Sequence, residues 1–102
     1  MRIIKELSKQ IKEELHDAEK YAKMALEHKM DHPDLAEAYH SLAKEEIGHA
    51  TLLHEKVVAM IRKASTEKEA PPVMRERWAW QHDEIVEEEA EGRRLVEMYS
   101  HS

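Results

Sequence analysis

Asp31-His32-Pro33-Asp34 separates two long stretches of helical apolar rhythm, and its reading decides the fold. Proline lacks an amide hydrogen and clashes with the preceding turn, so it stops one helix. Its fixed φ suits the first turn of the next. With so short a break, the flanking helices must return on each other as an antiparallel hairpin. Apolar periodicity predicts the first helix over about 2–30 and the second over about 33–64. Ser65-Thr66-Glu67-Lys68-Glu69-Ala70-Pro71-Pro72 is polar and proline-terminated, which reads as a connection, and a third helix fills about 72–99. The expectation is an all-α single domain over residues 1–102, with no internal repeat and no low-complexity tract.

Composition agrees with this reading. Of the 102 residues, 37% are charged, and there are only two glycines and three prolines, a mix that favours long helices over sheet. Phenylalanine is absent, so the core must be aliphatic and rich in Ala and Met. Such a core is thin for a lone small domain, and a partner chain is expected. The absence of cysteine excludes disulfides, iron–sulfur clusters, thiolate zinc sites and thiol nucleophiles. A formal charge of −6 with dispersed acidic residues argues against nucleic-acid binding, which needs a concentrated basic face. No stretch approaches transmembrane length and the N-terminus lacks a signal-like apolar run, so the cytoplasm is the expected location, without membrane association.

Polar residues interrupt the apolar stripe of every helix. In helix 1, Ile4, Leu7, Ile11, Ala18 and Ala25 repeat at three–four spacing, and Glu14 falls within them. In helix 2, Leu35, Leu42, Leu53 and Met60 share a stripe with Glu46 and His49. In helix 3, Trp78, Ile85, Gly92, Val96 and Tyr99 align, with His82 and Glu89 on the same side. A buried carboxylate costs several kcal/mol unless it is paired or binds a metal.

Carboxylate bundles hold two metal ions with a Glu from each of two helices and Glu-x-x-His from each of two others. Residues three apart sit about one turn apart on a helix face, so both reach one centre. Glutamate offers hard oxygen that can bridge ions, and histidine a neutral nitrogen. Glu-x-x-His occurs three times, as Glu13/His16, Glu37/His40 and Glu46/His49, and about one such pair is expected by chance in so Glu- and His-rich a chain. Phase separates them. At about 100° per residue, Glu46 and His49 lie within about 40° of Leu42 on the apolar stripe, whereas the other two pairs point away from theirs and read as surface charge. Glu14 lies about 18 residues before the turn and Glu46 about 14 after it, so at 1.5 Å per residue they stand at similar heights. One chain thus offers Glu14, Glu46 and His49, half of the donor set, and a twofold homodimer, or a larger even assembly, would complete it.

Glu14 with Tyr21 seven residues later, followed by Leu42-Ala43-Lys44-Glu45-Glu46-Ile47-Gly48-His49-Ala50, resembles the first two helices of rubrerythrin and related ferritin-like proteins over roughly residues 8–55. The resemblance implies a ferritin-like four-helix core completed by dimerisation. It implies Glu14, Glu46 and His49 as ligands of iron, two ions per dimer, with manganese or zinc as alternatives, and Tyr21 as a nearby aromatic. The implied chemistry is oxidation of ferrous iron or reduction of peroxide. Two features of rubrerythrin are missing: a second Glu and Glu-x-x-His pair, and the cysteine-ligated domain that supplies electrons. The half-length plan is similar to encapsulated ferritins, although no shell-targeting extension is evident after Tyr99.

Each assignment has a plainer competitor. Glu14 could be a solvated charge at the seam edge, Glu46/His49 an ion pair, and Tyr21 a packed aromatic whose hydroxyl finds a partner. His82, Glu88 and Glu89 could complete the site from helix 3 or form a solvated face. The remaining histidines, His16, His28, His32, His40, His54 and His101, read as surface or loop residues, and Trp80 and Met98 as dimer contacts. The alternative function is a metal-binding or structural helical module without turnover.

Overall fold

A computed structural model describes the backbone of residues 2–67 and 72–101, and the side chains of 2–63 and 82–101. Three helices follow in order, α1 (Arg2–His28), α2 (Pro33–Glu67) and α3 (Pro72–His101), and the described residues contain no strand. They form an elongated bundle about 55 Å long and 18 by 16 Å across. No described helix is long and apolar enough to cross a membrane.

The hairpin forms where the proline places it. The His32 amide donates to the carbonyl of His28 at 2.8 Å, closing the end of α1. The carbonyl of His32 accepts from the Ala36 amide at 2.9 Å, which makes His32 the cap of α2, with Pro33 at its first position. Asp34 stands in the first turn of α2 and His28 in the last turn of α1, each suited to its end of the helix dipole. Sequence reading extends α1 two residues too far, because Lys29 and Met30 already belong to the turn. It ends α2 too early: Ser65, Thr66 and Glu67 continue the helix. The rest of the expected connection, Lys68 to Pro71, lies outside the described residues, as do the side chains of Trp78 and Trp80.

The core stripe of α1 is close to expectation, with Ile4, Ile11, Ala18 and Ala25 buried together with Ser8, Leu15 and Ala22. The stripe of α2 is not. Its buried residues are Ala36, Ala43, Ile47, Ala50 and Val57, whereas Leu35, Leu42 and Met60 are 45%, 39% and 38% exposed. The face that closes the bundle is therefore rotated from the leucine stripe, and only Leu53 of that stripe packs on the core. Small side chains explain the choice: alanines on α1 and α2 let the two backbones approach closely, and dispersion contacts at close range outweigh the loss of leucine burial within one chain.

Helix α3 runs parallel to α1 and leans on it more than on α2. Ile85 joins Ile4, Ile11, Leu15, Ala50 and Val57 in one cluster, and Leu95 joins Ala22 and Ala43 in another. At Gly92 a Cβ atom would sit 3.5 Å from Ile47 Cδ1, so the α2–α3 approach is close there without requiring glycine. Polar contacts join α3 to α1 at mid-length and near the turn end. Lys12 pairs with Glu84, and Lys29 donates to the carbonyl of Tyr99 while its ammonium lies 4.4 Å from the centre of that ring.

Candidate metal centre

Glu14 from α1 and Glu46 and His49 from α2 converge at mid-height in the hairpin, each offering a ligand atom within 4.8 Å of the others'. Among the described residues this is the one set of three or more such side chains that closes to that distance. Helix geometry accounts for it. Glu46 and His49 are three residues apart and so share a face, and the antiparallel turn brings Glu14 opposite them.

Glu14 and Glu46 are half-buried and His49 is exposed. Glu14 Oε2 is sealed from solvent and accepts no hydrogen bond. Burial pushes the Glu14 carboxyl above its ordinary range, and the neighbouring carboxylates of Glu46 and Asp17 push it further. The His49 imidazole and a hydrogen bond from Gln10 oppose that rise. Glu14 thus sits where its negative charge is unwelcome and one oxygen has no donor, a state that a cation relieves. Two carboxylates and an imidazole form a mixed oxygen and nitrogen donor set that suits iron, manganese or zinc. The residues present fit such an ion.

The surroundings divide into two sides. On one, half-buried Glu46 and exposed His49 share a helical stripe with the exposed Leu35, Leu42 and Met60. On the other, Ile47 and Ala50 seal the hairpin interior. Tyr21 stacks on Tyr39 with ring centres 6.0 Å apart and an interplanar angle of 26°. They stand seven residues from Glu14 and Glu46 respectively, so the aromatic pair forms a layer about 10 Å from the carboxylates toward the turn.

The structure does not bring His82, Glu88 or Glu89 to this cluster. Glu89 and His82 face His54 instead, with His54 Nδ1 3.4 Å from Glu89 Oε1 and the two imidazole centres 4.8 Å apart. Glu88 points toward α1. Burial and the carboxylates of Glu19 and Glu84 raise its pKa against Lys12 and His16, and its Oε2 has no hydrogen-bond donor. Three histidines expected at the surface or in loops, His28, His40 and His54, prove half-buried. His54 falls in phase with Ile47, Ala50 and Val57, and His40 stacks on Tyr99 at 4.2 Å between centroids. Reading α2 on its alanine stripe would have found His54, and counting seven back from Glu46 would have found Tyr39. Glu13, His16 and Glu37 are exposed, as their phase predicts, and so is Met98. No family model matches the chain, and neither a curated protein nor a solved structure matches it at a significant level.

Proposed function

We propose that the chain is a ferritin-like metal protein in which two copies pack their open hairpin faces together and build a two-ion carboxylate–histidine centre. The observation that carries this reading is the convergence of Glu14, Glu46 and His49 beside an apolar stripe that one chain leaves uncovered. A second copy on the same face supplies a second Glu14, Glu46 and His49, the full donor set of a di-metal bundle. It also removes Leu35, Leu42 and Met60 from water.

Iron, two ions per dimer, is the metal that best matches this donor set and the resemblance to rubrerythrin; manganese or zinc would use the same ligands. When bound, the ion pair supplies the two-electron chemistry of ferrous oxidation by oxygen or peroxide. The protein's own residues do the rest. Glu14 and Glu46 would hold the ions through hard carboxylate oxygens and offset their positive charge, and His49 would add a neutral nitrogen. Raising the Glu14 pKa makes the empty site take up a proton easily and release it when a cation arrives, so metal uptake is coupled to proton release. The stacked rings of Tyr21 and Tyr39 would limit water access on the side of the turn.

The test is ferrous oxidation under air, followed by optical absorption at several iron-to-chain ratios. Repeated turnover above the rate of free iron, lost in Glu46→Ala and His49→Ala, supports the oxidase. Tight binding with no acceleration would leave a metal-binding module without turnover, and no binding would return the chain to a structural helical bundle.

A further inference from the structure

Helix α3 has no Glu-x-x-His motif, yet it carries an imidazole and a carboxylate onto a third imidazole-bearing position of α2. His54 lies about 140° round α2 from His49 and about 7.5 Å along it, on the stripe that faces the bundle interior. His54 Nδ1 stands 3.4 Å from Glu89 Oε1, with the two side chains only 16% and 15% exposed. The His82 ring lies 4.8 Å from that of His54 between centroids, tilted by 55°. Glu89 Oε1 is sealed from solvent and accepts no hydrogen bond, even from the nearby His54 nitrogen.

The 3.4 Å separation is the distance that two ligands keep on one tetrahedral ion, since metal–nitrogen and metal–oxygen bonds of about 2.1 Å at a tetrahedral angle span about 3.4 Å. Two imidazoles and a carboxylate are the donors of open zinc and ferrous sites. His82 does not approach both partners as closely as the Glu14 cluster closes on itself, and rotation about its two side-chain torsions is the movement that would bring it in. We propose that His54, His82 and Glu89 form a second divalent transition-metal site, separate from the Glu14 centre, which ties α3 to α2. A cation there would satisfy the sealed Glu89 oxygen, which accepts no hydrogen bond, and would staple the helix pair that packs least extensively in the bundle.

The probe is Co2+ added without oxygen to the E46Q/H49A double variant, in which the first centre is disabled. The proposal expects one Co2+ per chain, with visible absorption of low-symmetry coordination, displaced by Zn2+. Adding His82→Gln to that background should weaken binding at least about 10-fold, since even groups that only support a ligand cost that much. In the unaltered chain, Zn2+ should shift the imidazole resonances of His54 and His82 in nuclear magnetic resonance spectra, which decides the matter even if H82Q folds poorly. No Co2+ in the double variant, or imidazole resonances indifferent to Zn2+, would reduce the trio to an ion pair beside a histidine. Failure of the Glu14 centre would show separately, as unchanged metal content between the unaltered chain and the double variant.

Discussion

Replacing Glu14 by Gln should move the metal-free and metal-loaded proteins in opposite directions. In the metal-free chain the Glu14 and Glu46 carboxylates face each other with ligand atoms no more than 4.8 Å apart, and one Glu14 oxygen has no donor. Two like charges at that separation repel by about 1 kcal/mol in water and about 3.5 kcal/mol at an effective dielectric constant near 20. Both groups are half-buried, so screening places the effect toward the low end, about 1–2 kcal/mol. The glutamine is neutral and can donate to Glu46. A domain of this size gains about 4–8 °C in midpoint for each kcal/mol, so the metal-free variant should melt about 5–10 °C higher. The parent should instead gain about 2.7 kcal/mol when free metal stands at 100 times its dissociation constant, and E14Q should lose most of that gain. Thermal melts by circular dichroism, with chelator and with ferrous iron under nitrogen at fixed chain concentration, measure both. A less stable metal-free E14Q that keeps the full metal-dependent shift would refute the reasoning.

Ser8 is 1% exposed and its hydroxyl is unpartnered, so Ser8→Ala should stabilise the chain by about 1 kcal/mol in urea denaturation, since it removes an unsatisfied donor and adds helix propensity. Glu88→Gln should stabilise the protein at neutral pH. The Glu88 pKa is raised in the fold, so its charged form is the disfavoured one above that pKa. The variant's advantage should shrink as pH falls through the raised value toward the unfolded carboxyl range, where the parent is protonated too, and an advantage that grows on acidification would reverse the sign. Leu42→Lys should dissociate the proposed dimer: covering the exposed 39% of two leucines contributes about 1.4 kcal/mol, so the dissociation constant measured by analytical ultracentrifugation should rise at least about 10-fold.

Much of this arrangement was legible in the residues. Pro33 marked the hairpin because proline acts on the backbone directly, whatever the tertiary context. Glu14, Glu46 and His49 could be brought together by counting residues from the turn, since helical rise and phase are fixed quantities. The buried face of α2 was not legible in the same way. A leucine stripe and an alanine stripe both keep helical spacing, and which one closes inward depends on how near the neighbouring backbone can come. The same ambiguity hid His54, whose burial follows from the alanine stripe, and with it the approach of His82 and Glu89 to that residue. The stack of His40 on Tyr99 joins positions far apart in sequence, and neither residue's local pattern announces the other.

Counting iron settles the main question. After ferrous loading without oxygen and removal of free metal, light scattering should give the mass of a dimer or larger even assembly, and elemental analysis should find at least one iron per chain. That number should fall by one per chain in His49→Ala. A monomer, or an iron content that His49→Ala leaves unchanged, would contradict a centre built from Glu14, Glu46 and His49 of two copies.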